Sequence, residues 1–283
     1  MGETVHEMVA RARVAQAAVE SWNQAQVDEM VAAVGWAVYQ REHAEACARL
    51  ACDETGMGIY EHKLLKHQKK TLGTLRDLQG VKTVDLIEED RTRGLLKFAK
   101  PVGIVGALTP VTNASSTLCC NGLSILKGRN AVSFASHPSA RRTAALTCRY
   151  IRVGLRQVVA PEDLVQNIAE PSIELTQALM KAVDLVVATG GAAMVKSAYS
   201  SGPPAYGVGA GNSVCIVDET ADLSDAARKI AQSKTFDNAT SCSSENSLII
   251  QTTVWDRMAE CLKAEGGHLC TEAERETLQR FMW

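Results

Sequence analysis

The sequence predicts an α/β protein in which a Rossmann-like parallel sheet carries helices on both faces. A helical leader precedes the sheet, and the start of a second, catalytic α/β domain follows it. Up to about Gly80 the chain has apolar residues at helical spacing and no proline. After Pro101, short apolar runs alternate with helix-like segments, which is typical of βαβ units. The carboxyl ends of such strands meet at one edge, so ligand-binding residues are expected in the turns that follow them.

Four segments follow from these patterns. Residues 1–80 are predicted to form a helical leader that packs on the nucleotide domain, and residues 81–100 an extended arm or hairpin. A dinucleotide-binding domain is expected over residues 101–237, and residues 238–283 are expected to begin a second α/β domain. The strand candidates are Val102–Leu108, Ala131–Ala135, Leu164–Ile168, Leu185–Ala188 and Val214–Val217.

Composition excludes several classes of function. The 283 residues are 46% hydrophobic with a formal net charge of -2, so the chain can bury a large core and has no field that would attract nucleic acid or anionic lipid. No window approaches the roughly 20 apolar residues of a membrane span, which predicts a soluble, cytoplasmic protein. The nine cysteines are an odd number without zinc-type spacing, so reduced thiols are expected and no metal site.

The first two strand-to-helix turns offer polar groups. Asn113, in the turn that begins with Thr109 and Pro110, is either a helix cap, which spacing alone favours, or an oxyanion donor. The second turn, Ser136-His137-Pro138, opens a helix whose free backbone amides suit ribose or phosphate, although His137 can equally be a plain turn residue. Arg141 and Arg142 follow it and could reach a 2′-phosphate or simply face solvent, so NAD and NADP both stay open.

Two further turns are rich in glycine. Thr189-Gly190-Gly191 joins the strand DLVVAT to a helix, which allows the close approach of a dinucleotide. Gly207-Val208-Gly209 leads toward the strand SVCIVD, where close packing and close ligand approach both explain the glycines.

The fifth turn contains Cys242. It lies in the small polar run NATSCSSE, and unlike the other cysteines it lacks bulky apolar neighbours. That context favours an accessible thiol and makes Cys242 the candidate nucleophile.

In sequence and spacing these five turns resemble the aldehyde dehydrogenase superfamily. The resemblance is to its CoA-acylating branch, the acetaldehyde, propionaldehyde and sulfoacetaldehyde dehydrogenases. It spans nearly the whole chain and rests on a specific set of phrases: KFAKPVGIVGALTPVTNASST, SFASHPSA, EPSIELTQALM, ATGGAAMVKSAYSSG, GVGAGN, VDETADLSDAA and SKTFDNATSCSSENS.

The resemblance implies a role for each turn. Cys242 would attack the aldehyde carbonyl, and Asn113 with the Cys242 backbone N–H would stabilise the oxyanion. Hydride transfer to NAD or NADP would leave a thioester, from which coenzyme A takes the acyl group. The implied partners are therefore a small aldehyde and coenzyme A, with a homo-oligomer expected of the full-length form. The implied cofactor-binding residues are Thr109, Pro110, Ser136, His137 and Pro138, then Thr189, Gly190, Gly191, Gly207, Val208 and Gly209.

Two departures from the wider superfamily bear on function. Gly207 stands where hydrolytic members carry a glutamate base, which leaves a thiol as the acyl acceptor unless Glu245 serves instead. The chain ends at Trp283, 41 residues past Cys242, where family members continue, so the resemblance implies that residues 238–283 begin a catalytic domain that is truncated. The alternative is therefore an inactive truncated nucleotide-binding fragment or an assembly subunit. The hydroxyl-rich run around Cys242 suits a polar aldehyde such as sulfoacetaldehyde, although serines also serve as turn formers.

Overall fold

The computed structural model describes residues 4–282. They form two compact units, one up to Ala210 and one from Gly211 onward.

Four helices open the first unit: α1 (Val5–Val19), α2 (Gln24–Tyr39), α3 (Arg41–Thr55) and α4 (Tyr60–Leu78). Capping boxes start α1 and α2, in which the side chains of Thr4 and Asn23 accept from the backbone of Glu7 and Gln26. The apolar stripe of α2 is buried and joins the core of the sheet. Helical spacing therefore places this leader on the core, as amphipathic helices require.

An antiparallel hairpin follows the leader. It consists of β1 (Asp85–Asp90) and β2 (Leu95–Ala99). Leu95, Leu96 and Phe98 are all more than half exposed, so the hairpin keeps apolar side chains on its surface.

The central sheet is parallel and five-stranded. Its strands are β3 (Ile104–Thr109), β4 (Ala131–Ser136), β5 (Val165–Asn167), β6 (Leu185–Thr189) and β7 (Ala205–Val208), in the order β5-β4-β3-β6-β7. Every residue of β3 and β4 is buried, as expected when helices cover both faces. The connecting helices are α5 (Ser116–Lys127), α6 (Arg141–Gln157), α7 (Ile173–Ala182) and α8 (Ala192–Tyr199).

These helices form two layers. α1 and α7 contact each other and the strands, while α5 and α6 contact each other and α2. The chain leaves β3 toward β4 on one side and returns to β6 on the other, which makes the carboxyl ends of these strands the switch point at which such folds bind ligands. The predicted fold class is confirmed.

The second unit contains α9 (Leu223–Thr235), α10 (Trp255–Ala264) and α11 (Glu272–Met282) beside a two-stranded parallel sheet, β8 (Ser213–Val217) and β9 (Glu245–Ile250). Val217, Leu223, Ala227 and Met258 contribute to a small core of its own. Asp222 caps α9 by accepting from the Asp225 N–H. Within residues 4–282 there is no helix with the length and apolar character that a bilayer crossing demands.

Strand assignment differs from the sequence analysis at one point. The fifth strand of the large sheet is β7, which contains Gly207, whereas the predicted strand Val214–Val217 pairs with β9 in the other unit. The edge strand β7 has four residues, one of them glycine, so its sequence shows little of the pattern typical of strands. By contrast, β8 is a typical apolar run, but its own sequence does not indicate which strand it pairs with. The domain boundary predicted at residue 237 stays a prediction.

Candidate active site

A cavity of about 490 Å³ opens at the carboxyl ends of β3, β4 and β6. The turns after these three strands supply one wall each, and the start of α7 supplies a fourth. Eight predicted cofactor-binding residues line it together: Thr109, Pro110, Ser136, His137, Pro138, Thr189, Gly190 and Gly191. Residues up to 82 positions apart in sequence meet here because parallel strands end at the same edge.

Two buried hydroxyls in the cavity lining lack a partner. Thr109 Oγ1 and Ser136 Oγ are buried and have no hydrogen-bond partner among residues 4–282. Buried polar atoms are normally satisfied, so these two fit a polar ligand in the cavity. They provide a structural reason, independent of any motif, to expect a polar ligand there.

The glycine turn after β6 leaves a helix start open. Gly191 precedes α8, which has no side-chain cap, and a Cβ on Gly191 would meet nothing within 4 Å. The Gly190 N–H donates to Val208 O at 3.1 Å, which ties the turn to β7. Uncapped amides at a helix N-terminus bordering a cavity can receive a pyrophosphate.

His137 lies exposed at the mouth of the cavity. Its Nδ1 accepts from the Ser139 N–H at 3.1 Å, so in the neutral ring Nε2 carries the proton. His137 is thus a turn residue that can also donate to a ribose hydroxyl.

Gly207, Val208 and Gly209 lie outside the cavity lining. Gly207 sits in β7 against α8, where an added Cβ would come within 2.5 Å of Val195 Cγ1 and 2.8 Å of Tyr199 Cε2. Its N–H donates to Tyr199 Oη at 3.0 Å. Any larger residue here, a glutamate included, would have to push the side chains of Val195 and Tyr199 aside.

Asn113 does not cap α5. The N-cap is Ser115, without a side-chain capping bond, and Asn113 contributes only its backbone carbonyl, which accepts from the Thr117 N–H at 3.1 Å. Its side-chain Oδ1 is buried and has no partner in the described part of the chain. The helix-cap interpretation is wrong, and the role as oxyanion donor stays a prediction.

Sequence reasoning missed a polar layer on α4 behind this turn. Lys63 Nζ and Lys66 Nζ donate to Thr112 O at 3.0 and 3.5 Å, and both side chains are buried. His67 is fully buried, which lowers its pKa and keeps it neutral. Its Nε2–H donates to Val38 O at 2.8 Å, so its Nδ1 accepts from Ser115 Oγ at 3.0 Å. The i, i+3, i+4 spacing of the three residues was the available signal.

Cys242 lies in the second unit and is exposed. Just before it, Asp237, Asn238 and Ala239 have φ of 55°, 53° and 58°, a left-handed conformation that only glycine adopts freely. The buried Asp237 anchors this turn, because its Oδ2 accepts from Thr240 Oγ1 at 2.7 Å. Strained backbone next to an exposed thiol is characteristic of functional sites.

Other cysteines are poor nucleophile candidates. Burial raises the pKa of Cys47 to about 11 and that of Cys148 to about 12, and it raises the pKa of Cys119 well above its usual value. These thiols stay protonated at neutral pH. Only Cys270 shares the exposure of Cys242.

One group of possible metal ligands lies in the second unit. The ligand atoms of His268, Cys270 and Glu274 are within 4.8 Å of one another, and all three residues are exposed. Glu274 Oε2 already accepts from the N–H and Oγ1 of Thr271, so the carboxylate has a capping role at α11. The expectation of no metal site stays a prediction.

The fold is an α/β protein with a cavity at the switch point of its parallel sheet, and comparison with known proteins gives its family. The profile of the "Aldehyde dehydrogenase family" matches residues 2–277. A sulfoacetaldehyde dehydrogenase of Acholeplasma is 51% identical over 275 residues, covering 97% of this chain and 57% of the relative. The chain belongs to the aldehyde dehydrogenase family.

Solved structures agree with this assignment. An acetylating aldehyde dehydrogenase of Geobacillus thermoglucosidasius superimposes with a TM-score of 0.90 at 36% identity, over 96% of this chain and 60% of that one. A propionaldehyde dehydrogenase of Rhodopseudomonas palustris with bound propionyl-CoA gives 0.83 at 36% identity, over 93% and 58%. The resemblance to the acylating branch is confirmed, and the chain spans about three fifths of the length of these relatives.

Proposed function

We propose that this chain carries the nucleotide site and the nucleophile of a CoA-acylating aldehyde dehydrogenase. The reaction joins an aldehyde, coenzyme A and NAD(P)⁺ to give acyl-CoA, NAD(P)H and a proton. The observation that carries the proposal is the exposed thiol of Cys242 on a strained turn, in a chain of this family.

Each residue has a defined task in the proposed mechanism. The Cys242 thiolate attacks the carbonyl carbon, and the Asn113 side chain with the Cys242 backbone N–H stabilises the resulting oxyanion. A bound nicotinamide would supply the hydride acceptor for this adduct, and Cys242 would then hold the acyl group as a thioester. The thiolate of coenzyme A then attacks the thioester carbonyl and Cys242 leaves as a thiolate.

The cavity in the first unit is the proposed dinucleotide site. Thr109 and Ser136 supply unsatisfied hydroxyls, His137 a donor, and Gly190 and Gly191 an open helix start. Gly207–Gly209 belong to the proposed nicotinamide end on the strength of the family resemblance. NAD and NADP both remain candidates.

Acyl transfer to coenzyme A is favoured over hydrolysis. Position 207 is a glycine packed against Val195 and Tyr199, so the chain lacks at this position the glutamate that activates water in hydrolytic members. Glu245, the first residue of β9, has a buried Oε2 without a partner in the described residues. It is the carboxylate that would serve as an alternative base for hydrolysis. The solved relative with bound propionyl-CoA supports the same acceptor.

A small polar aldehyde is the proposed substrate, with sulfoacetaldehyde as the leading candidate. The relative that is 51% identical is a sulfoacetaldehyde dehydrogenase. Ser241 and Ser243 flank Cys242, with their Oγ atoms 3.1 Å apart, and provide donors for an anionic group.

Three further assignments belong to the proposal. Nine free cysteines favour a reducing compartment and support a cytoplasmic location. The exposed apolar side chains of the β1–β2 hairpin support a homo-oligomer of the full-length form. The functional boundary between the nucleotide and catalytic domains is placed at residue 237.

The test is NAD(P)H formation, followed by absorbance, with a panel of small aldehydes in the presence and absence of coenzyme A. The protein is compared with Cys242→Ala and with Cys270→Ala, which removes the other exposed thiol. We expect CoA-dependent turnover that Cys242→Ala abolishes and Cys270→Ala preserves.

Other results have definite meanings. Nucleotide binding without turnover would replace the proposal by its alternative, an inactive nucleotide-binding fragment or assembly subunit. Turnover that needs no coenzyme A would indicate a hydrolytic enzyme, with Glu245 as the base to substitute next.

A further inference from the structure

An ion pair joins two segments that lie beside the cavity. Arg141 directly follows the turn Pro138–Ala140, whose Pro138 lines the cavity, and Glu170 directly precedes Pro171, which lines the opposite wall. Arg141 Nη1 donates to Glu170 Oε2. The pair therefore links the β4 wall to the wall in front of α7.

Among the described residues, those that line the cavity include no Asp, Glu, Lys or Arg. Many dinucleotide-binding folds recognise the adenosine ribose by a carboxylate that accepts from the 2′-hydroxyl of NAD, or by an arginine that binds the 2′-phosphate of NADP. Here Arg141 and Glu170 provide one group of each kind beside the cavity, and the two side chains are paired with each other.

The helix start beside Arg141 is already filled. Glu54, from α3, accepts from the N–H of Arg142 and from the N–H and Oγ1 of Thr143, all at 2.7 Å. These amides are therefore not available to a phosphate, because a carboxylate holds them. Because these amides are occupied, a ribose phosphate at this position would have to be bound by the arginine side chains.

Arg141 suits this task. It has an exposed guanidinium, with 48% of its side chain accessible, and its partner Glu170 is 74% exposed. Breaking an exposed ion pair costs little, whereas a phosphate dianion forms stronger, charge-assisted hydrogen bonds with a guanidinium. A 2′-phosphate can thus displace Glu170 into solvent.

We propose that Arg141 and Glu170 form a selector pair that lets this site accept both NAD and NADP. With NADP, Arg141 binds the 2′-phosphate and Glu170 turns to solvent. With NAD, Arg141 holds Glu170, whose carboxylate accepts from the 2′-hydroxyl. The inference rests on the proposed nucleotide role of the cavity and adds a specificity determinant to it.

The test measures dissociation constants of NAD and NADP by titration calorimetry on the whole chain, so no turnover is needed. Arg141→Ala should weaken NADP binding about 10- to 100-fold and NAD binding less than about threefold. Glu170→Ala should weaken NAD binding and raise the preference for NADP. The matched control is Arg156→Ala, which removes another ion-paired arginine of α6, its partner being Glu162.

A second titration isolates the ribose phosphate. Adenosine 2′,5′-bisphosphate should bind more tightly than AMP, and Arg141→Ala should remove that difference. Adenosine 3′,5′-bisphosphate distinguishes a 3′-phosphate, such as that of coenzyme A, from the 2′-phosphate.

The outcomes separate the two hypotheses. If both dinucleotides bind and Arg141→Ala changes their affinities equally, or if only the 3′-phosphate depends on Arg141, the selector pair is wrong and the proposed function stands. If neither dinucleotide binds, the nucleotide role fails, and the selector fails with it.

Discussion

Asn113 illustrates how single residues acquire a role from their surroundings. Its amide oxygen is buried without a partner in the described residues, and the preceding carbonyl, Thr112 O, receives two lysine ammonium groups. The turn is therefore held by its backbone from α4, while the side-chain oxygen of Asn113 makes no hydrogen bond within the described residues. An oxyanion would accept from the Nδ2–H of this amide, and a turn held in place would position that donor.

We predict that Asn113→Ala lowers the rate of hydride transfer about 10²- to 10³-fold, the range observed when one oxyanion donor is removed. The nucleotide dissociation constants should stay within about twofold of those of the parent chain. Rapid mixing with aldehyde and NAD(P) gives the rate. The control is Asn121→Ala on α5, which also removes an amide with an unpartnered buried atom. An equal loss in both variants would assign the effect to packing.

Two helices can pack closely only where small residues let their backbones approach each other. In α6, a Cβ on Gly154 would lie 2.5 Å from Val34 Cα and 2.8 Å from Ala33 O, so α2 and α6 meet with backbone against backbone. In α4, a Cβ on Gly73 would meet nothing within 4 Å. Glycine is thus needed for a close helix contact at position 154, whereas no neighbouring atom requires it at position 73.

Matched substitutions should separate these two glycines. Gly154→Ala is expected to reduce the free energy of unfolding by about 3 kcal/mol or more, because neither backbone can give way without separating the helices. Gly73→Ala should raise it by about 0.5 to 1 kcal/mol through better helix propensity. Urea unfolding followed by circular dichroism measures both. A mild effect of Gly154→Ala would show that α2 and α6 pack less closely than described.

Stability is unevenly distributed over the whole molecule. The first unit contains the large core between the sheet and its helices, while the core of the second unit is small. Its helix α11 buries none of its side chains and ends in the exposed Phe281 and Met282. An 11-residue helix with no buried side chain has few contacts to offset the conformational entropy that its chain loses on folding.

We predict that backbone amides of α11 exchange with deuterium within seconds, while those of β3, β4 and α5 are protected for hours. Mass spectrometry of peptides from the exchanged chain measures this, with α10 as the internal control because its Met258 is buried. Protection of α11 that rises with protein concentration would instead reveal a contact between copies of the chain.

Prediction from sequence succeeded where the physical cause is local. Buried strands, their following turns and the accessibility of Cys242 depend on short runs of residues, so β3, β4, β6 and eight residues of the cavity could be predicted directly. The edge strand β7 was missed because Gly207 breaks its apolar pattern. The role of Asn113 was ambiguous because a helix cap and a catalytic amide are encoded by the same residue type.

The amino-acid sequence by itself determined the fold class, the family and the turns that line the cavity. Only the tertiary structure decided which distant groups hold those positions: Lys63 and Lys66 on Thr112, Glu54 on the start of α6, Glu170 on Arg141, and β9 beside β8. Each of these contacts joins residues at least 29 positions apart. Their partners are chosen by how strands and helices pack in space, which no local pattern of residues specifies.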